Sequence, residues 1–166
     1  MLNDKMQKEL NQQINAEFWS AYLYLSMSAW FAGKNLPGLS HWMYVQFQEE
    51  QDHAMKIFRY IYERGGNVTL APIADTPTAW KSPSEAFRHT LQHEQKVTAS
   101  FNSLMDLAVD LKDYATQNFL SWFINEQVEE EATASEILQT VSDIELKPGI
   151  LRMFDKELKA RVYSSN

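Results

Sequence analysis

The chain has 166 residues, a formal net charge of −7, a pI near 5.1 and no cysteine. Hydrophobic residues make up 45% of the sequence, which is enough for a folded core and argues against a disordered chain. The acidic balance argues against nucleic acid and membrane as partners, and the absence of cysteine excludes disulfides, thiolate metal sites and cysteine nucleophiles.

Glycine and proline residues divide the chain into long segments that lack the alternating pattern of strands. Gly33 and Gly65 follow the first two segments, and glycine is common just after the end of a helix. Ser82-Pro83-Ser84-Glu85 has the pattern of a capping box and predicts the start of the third helix. These boundaries predict helices at about residues 4–32, 37–64, 83–110 and 114–141, and a shorter fifth helix at about 148–162.

The linker at residues 67–81 is much longer than the other breaks between helices. Fully extended, it could reach roughly 50 Å, which exceeds the length of about 42 Å expected for a helix of this size. The short breaks predict two antiparallel hairpins, and the long linker predicts a crossover that leaves helices two and three parallel. We therefore expect one all-α domain over residues 1–166, with a four-helix bundle at about 4–142 and the short helix at about 148–162.

Each of the four long helices carries an apolar stripe that is interrupted near its middle by residues able to bind a metal. Helices of similar length place these residues at nearly the same height in a bundle. Carboxylates packed together in an apolar core repel one another unless cations neutralise them, and four carboxylates match the charge of two Fe(II) ions. The residues are Glu17 in the first helix, Glu50 and His53 in the second, Glu94 in the third, and Gln127 and Glu130 in the fourth.

The spacing of these residues repeats between the two hairpins. Glu17 precedes Glu50 by 33 residues, and Glu94 precedes Gln127 by the same 33. A shift of 77 residues relates the two sets: Glu17 to Glu94, Glu50 to Gln127, and His53 to Glu130. A single buried glutamate is more often a paired structural residue, but the repeated pattern favours a dinuclear metal site between pseudo-two-fold halves.

These motifs resemble the ferroxidase centre of prokaryotic non-haem ferritins, and the resemblance covers nearly the whole chain. It implies a first iron held by Glu17, Glu50 and His53. It implies a second iron held by Glu94 and Glu130, with Glu50 bridging the two ions. Gln127 would lie beside the pair as a hydrogen-bonding residue or weak ligand.

The family also has a third iron site of carboxylates nearby, which Glu49, Glu126 and Glu129 match, with Glu130 shared. The alternative is that these acids flank the core stripe and are solvated. Tyr24 lies on the same helix face as the first predicted ligand. In the family a tyrosine at this position lies beside the iron pair and can supply an electron, whereas a core ring with a hydrogen-bonded hydroxyl is the alternative.

Differences from related families narrow the choice among ferritin-like families. Bacterioferritins have a second Glu-x-x-His motif and a haem methionine after the bridging glutamate, whereas this chain has Gln127-x-x-Glu130 and Gln51 at those positions. We therefore expect no haem. The lack of cysteine argues against a rubrerythrin, and the fifth helix argues against a DNA-protecting mini-ferritin.

The resemblance implies iron storage and detoxification in the cytoplasm. The chain would act as a ferroxidase, oxidising Fe(II) with O₂ or H₂O₂, and would deposit ferric mineral inside a homo-oligomeric shell of 24 subunits. Two alternatives stay open: a di-metal oxidase or peroxidase of the same bundle class without a cage, and a non-catalytic helical interaction module.

Some surface residues also have predicted roles. Four aromatic residues are expected to face outward at subunit contacts: Trp19, Trp30, Trp42 and Tyr60. Three aspartates are expected to attract cations at an entry pore: Asp106, Asp110 and Asp113.

Overall fold

The computed structural model describes residues 1–164, which contain helices and no strand. The all-α prediction is therefore confirmed for this part of the chain. The helices are α1 (Asp4–Gly33), α2 (Pro37–Glu63), α3 (Pro83–Asp110), α4 (Tyr114–Ile144) and α5 (Pro148–Leu158). Within the same residues, no helix combines the length and the apolar character needed to cross a bilayer.

The starts of α1 and α3 follow from their capping residues. The Asn3 side chain accepts a hydrogen bond from the Lys5 backbone N–H at 2.9 Å. The Ser82 hydroxyl accepts one from the Glu85 backbone N–H at 3.2 Å, and the Glu85 carboxylate accepts one from the Lys81 N–H. The serine half of the predicted capping box is thus present, and the Glu85 carboxylate reaches back to the residue before the N-cap instead of to the N-cap itself.

Two helix ends differ from the sequence prediction. α4 continues three residues past Val141, and the Glu145 N–H still donates to the Val141 carbonyl at 2.8 Å. α5 ends at Leu158, four residues before the predicted end at Val162. The chain turns after Leu158 because the side chains of the following segment contact α2, as described below.

The contacts divide the chain into a first unit, residues 1–80 with 146–164, and a second unit, residues 81–145. In the first unit, α1 and α2 form an antiparallel hairpin, and the Leu2 N–H donates to the Arg64 carbonyl at 3.0 Å where the start of one meets the end of the other. In the second unit, α3 and α4 form the other hairpin, and Phe101 stacks on Phe123 at 4.6 Å between ring centroids. Burial of each large apolar side chain stabilises its hairpin by about 1.5–3 kcal/mol.

The linker after α2 follows α1 for most of its length. Polar side chains of α1 donate to successive linker carbonyls: Asn11 to Asn67 at 3.0 Å, Asn15 to Ala71 at 3.0 Å, Trp19 to Asp75 at 3.3 Å and Ser26 to Pro77 at 2.6 Å. Because the residue numbers of the α1 donors and of the linker acceptors increase together, the linker runs in the same direction as α1. The long crossover predicted at residues 67–81 is confirmed.

α5 packs against the start of α2. The buried Asp155 carboxylate accepts hydrogen bonds from the N–H groups of Gly38 at 2.9 Å and Leu39 at 2.8 Å, so it caps a helix that begins 118 residues earlier. A Cβ atom at Gly38 would lie 1.5 Å from the Asp155 carbonyl oxygen. Only glycine allows this approach, and the contact fixes the position of α5 within the first unit.

Two of the aromatic residues expected to face outward are buried inside the first unit, so that prediction was wrong for them. Trp42 is 3% exposed and Tyr60 is 8% exposed. An arginine covers each ring: Arg161 lies 4.3 Å from the Trp42 centroid, and Arg64 lies 5.6 Å from the Tyr60 centroid. Arg64 follows Tyr60 by four residues, so helical spacing brings them together, whereas helical periodicity could not predict the contact of Arg161 with Trp42.

The other two aromatic residues are partly covered by the linker of their own chain. The Trp19 indole donates to the Asp75 carbonyl at 3.3 Å. Trp30 packs edge-on against Trp80, with 5.8 Å between their ring centroids. The linker therefore supplies contacts that the sequence prediction had assigned to another subunit.

Candidate metal centre

Three of the predicted ligands converge between α1 and α2. Glu17, Glu50 and His53 are all buried, and each offers one ligand atom within 4.8 Å of the others. The Nδ1 atom of His53 lies 3.6 Å from Glu17 Oε2 and 3.4 Å from Glu50 Oε2. Glu50 and His53 share a face of α2 because residues three apart are neighbours on a helix. The first unit thus assembles its three predicted ligands, two carboxylates and an imidazole, into one cluster.

Gln13 orients Glu17, and the sequence analysis missed it. Its Nε2 atom donates to Glu17 Oε1 at 2.5 Å, and the side chain is 3% exposed. The position of Gln13 four residues before a predicted ligand, on the same helix face, is the signal that could have found it.

The second oxygen of Glu17 fits a metal ligand. Glu17 Oε2 is buried and accepts no hydrogen bond from the residues in the range 1–164. A buried carboxylate oxygen without a donor is costly, and a bound cation removes that cost. Hard oxygen donors with one imidazole suit Fe(II). The cluster of Glu17, Glu50 and His53 therefore has the donor set and the burial of an iron site.

The carboxylates of Glu17 and Glu50 change the pKa of His53. Burial alone lowers the pKa of His53 and raises that of Glu17, because each charged form loses hydration. The nearby carboxylates of Glu17 and Glu50 favour the imidazolium, outweigh burial and raise the pKa of His53 well above its usual value. Contact with His53 likewise lowers the pKa of Glu17. A metal ion at these carboxylates therefore competes with the proton on His53.

In the second unit, a side chain from another helix orients the Glu94 carboxylate. Gln127 on α4 donates through Nε2 to Glu94 Oε2 at 3.1 Å, to the Glu94 carbonyl at 3.2 Å and to Thr98 Oγ1 at 3.3 Å. Both Glu94 and Gln127 are buried, and Glu130 is partly exposed one turn further along α4. The structure thus brings Glu94 and Gln127 together and gives Gln127 the role of a hydrogen-bond donor to Glu94.

The residues predicted for a third site lie in different surroundings. Glu49 on α2 forms an ion pair with Arg161, with 2.5 Å between Oε2 and Nη2. Glu126 on α4 is partly exposed and Glu129 is exposed. Tyr24 is fully buried in the first unit.

The predicted pore aspartates do not form a uniform group. Asp113 is the N-cap of α4, and its carboxylate accepts hydrogen bonds from the Thr116 N–H at 3.1 Å and hydroxyl at 2.7 Å. Asp106 and Asp110 are exposed on α3. The entry pore stays a prediction for all three.

A family model described as "Ferritin-like domain" matches residues 7–144. The chain belongs to the ferritin-like family. A bacterial non-heme ferritin of Bacteroides fragilis is 45% identical over 141 residues, which cover 85% of this chain and 89% of that protein. The bacterial non-heme ferritin of Staphylococcus saprophyticus is 37% identical over 166 residues, covering 100% of this chain and 99% of that protein.

Solved structures agree with the sequence relatives. An engineered closed form of the Archaeoglobus fulgidus ferritin superposes with a TM-score of 0.97 at 46% identity, covering 99% of this chain and 100% of that one. The open-pore ferritin of the same archaeon gives a TM-score of 0.96 at 47% identity, covering 98% of this chain. The predicted ferritin-like four-helix bundle with a short fifth helix and the resemblance to non-haem ferritins are therefore confirmed. Family membership also supports iron storage, the function predicted from the sequence.

Proposed function

We propose that this ferritin-like protein stores and detoxifies iron by oxidising Fe(II) at a dinuclear ferroxidase centre and keeping the ferric product inside a homo-oligomeric shell. The observation that carries the proposal is the buried cluster of Glu17, Glu50 and His53, in which Glu17 Oε2 receives no hydrogen bond from the part of the chain that the structure describes. A shell of 24 subunits, a cytoplasmic location and one domain over residues 1–166 belong to the same proposal.

In this proposal iron is the substrate and is bound as a pair. Glu17, Glu50 and His53 hold the first ion. Glu50 bridges to the second ion, which Glu94 and Glu130 also hold. The 77-residue repeat supports this division between the two units. Gln127 supports it by fixing the carboxylate of Glu94.

Charge and electron balance agree with an iron pair. Four carboxylates neutralise two Fe(II) ions, and each ion loses one electron on oxidation. The two electrons reduce O₂ to H₂O₂, or H₂O₂ to water. Two Fe(III) ions exceed the charge of the four carboxylates by two, which favours departure of the product toward the mineral. The metal ions carry the redox chemistry, and the protein binds and orients them.

Three further carboxylates extend the proposal to a third iron site. Glu49, Glu126 and Glu129, with Glu130 shared, would bind this ion. Their varied exposure suits an ion in transit better than a resident one. Tyr24, buried on the same face of α1 as Glu17, and an Fe(II) ion at the third site would each supply one further electron, so that four electrons in all would reduce O₂ to water.

An anaerobic titration with Fe(II), followed by exposure to air, tests the proposal. We expect at least two tightly bound ions per chain, then rapid oxidation to a soluble ferric product with many irons per chain in an assembly of high mass. Glu50→Gln should abolish tight binding of the pair. Glu63→Gln is the matched control, because Glu63 lies on the same helix and is exposed.

The outcome separates the competing functions. A ferric product that stays at two ions per chain in a small oligomer would replace storage with a di-metal oxidase or peroxidase. Unchanged metal content and thermal stability in both the Glu50→Gln and Glu50→Ala variants would favour an interaction module that binds no iron.

A further inference from the structure

The segment that follows α5, residues 159–163, lies along α2 and is here called the C-terminal segment. It is anchored at several levels of that helix. The Arg161 carbonyl accepts a hydrogen bond from His41 Nε2 at 2.8 Å. Two residues later, the Tyr163 hydroxyl donates to the Asp52 carboxylate. The segment thus runs from His41, in the second turn of α2, to the turn that carries His53.

Arg161 is the centre of this contact. Its guanidinium lies 4.3 Å from the Trp42 ring centroid and donates to the Gln46 side chain. The same Nη2 atom lies 2.5 Å from Glu49 Oε2. Arginine combines this stacking with a fork of donors, and lysine cannot reproduce both. The acid beside the bridging ligand Glu50 therefore already has a positively charged partner from its own chain.

We infer that Arg161 is a built-in competitor for iron at Glu49, so that an ion enters the third site only by displacing the guanidinium. This inference rests on the proposed third site. A guanidinium and a divalent ion repel each other, and the Glu49 carboxylate cannot serve both at full strength. Release of the ion allows Arg161 to return, which restores charge balance at Glu49.

The exposure of the pair makes the exchange feasible. The side chains of Arg161 and Glu49 are 21% and 18% exposed. Ion pairs with access to water are weak enough for a metal ion to replace them. The competition lowers the affinity of Glu49 for iron and keeps the third site a transit position instead of a permanent one.

Calorimetric titration of the assembled protein with Fe(II) under anaerobic conditions tests the competition. Arg161→Gln should tighten binding of the third ion by roughly 1.4- to fivefold, the range expected when one partly exposed ion pair is lost. Lys159→Gln is the matched control, since it removes the same charge from an exposed position in the same segment. Arg161→Lys keeps the charge and should fall between the wild type and Arg161→Gln.

A second readout follows the side chain itself. A structure of the wild-type protein loaded with Zn(II), which is redox-inert, should show the Arg161 guanidinium withdrawn from Glu49. This measurement does not depend on how well the substituted chains fold. A Zn(II) ion on Glu49 with Arg161 still in contact with the same carboxylate would overturn the inference.

Each outcome of the titration has a separate meaning. Equal third-ion affinity in the wild type and Arg161→Gln, or equal tightening by Arg161→Gln and Lys159→Gln, would overturn competition by Arg161. Two ions and no third in every variant would remove the third site and this inference, while the dinuclear centre would stand. No bound Fe(II) in any variant would instead reject the proposed function.

Discussion

The two units carry the same 77-residue pattern but place different side chains around their carboxylates. In the first unit, Glu17 is oriented by Gln13 of its own helix. In the second, the residue equivalent to Gln13 is Thr90, whose hydroxyl donates to the Ala86 carbonyl at 3.2 Å. The first unit can therefore fix its carboxylate within one helix, and the second must use another helix.

Gln127 fills that role in the second unit, where it occupies the position equivalent to Glu50. An amide there gives up a negative charge and gains a hydrogen-bond donor. Within the first unit, two carboxylates and His53 form a compact cluster without any residue of the second. The comparison shows that two units with the same sequence spacing can differ in the charges and hydrogen-bond donors around their carboxylates. We therefore predict that the first unit contributes more to metal affinity.

The largest expected effect is the loss of a ligand charge in each unit. Glu17→Gln should weaken the tightest Fe(II) site by at least roughly 100-fold, more than the loss of a supporting residue usually costs. The equivalent change in the second unit, Glu94→Gln, should weaken it less. Anaerobic calorimetry on both variants makes the measurement, and equal losses would show that the units contribute alike.

The orienting amide gives the next effect. Gln13→Leu should weaken the tightest site by roughly 10- to 100-fold, because Glu17 loses the donor that fixes its carboxylate. Gln12→Leu is the matched control at an adjacent exposed position. Thr90→Val, the equivalent change in the second unit, should have little effect. The interpretation fails if Gln13→Leu and Thr90→Val behave the same in the Fe(II) titration.

The dependence on pH tests the role of His53. Its pKa is raised in the protein, so below that pKa the imidazolium must release a proton when a metal ion binds. Affinity should therefore rise by about tenfold per pH unit below the pKa of His53 and level off above it. Zn(II) calorimetry in buffers of different ionisation enthalpy counts the protons, and a value near zero at pH 6 would contradict the assignment.

The smallest effect concerns the helix caps of the two units. α2 is capped by Asp155 from α5, whereas α4 is capped by Asp113 at its own start. Loss of a cap costs about 0.5–2 kcal/mol. Asp155→Ala should lie at the upper end because it also releases α5, and Asp113→Ala should cost less. Thermal unfolding of both variants in the absence of iron compares them, and the reverse order would show that the long-range cap is dispensable.

The sequence predicted the parts of the molecule that follow from local periodicity and punctuation. Helix positions, the long crossover and the clustering of Glu17, Glu50 and His53 all depend on regular spacing along helices. The outward assignment of Trp42 failed because its cover, Arg161, lies 119 residues away in the chain. The cap by Asp155 was equally hidden, since side chains that meet across such distances leave no periodic signal.

The contacts of the linker with α1 have a consequence for how this protein can change. The α1 side chains Asn11, Asn15 and Ser26 recognise linker carbonyl oxygens, which every amino acid possesses. Most linker residues, in contrast, are exposed to solvent. The path of the crossover is therefore encoded in the helix it follows. Most linker side chains can therefore be substituted, in evolution or by design, without changing the path of the linker along α1.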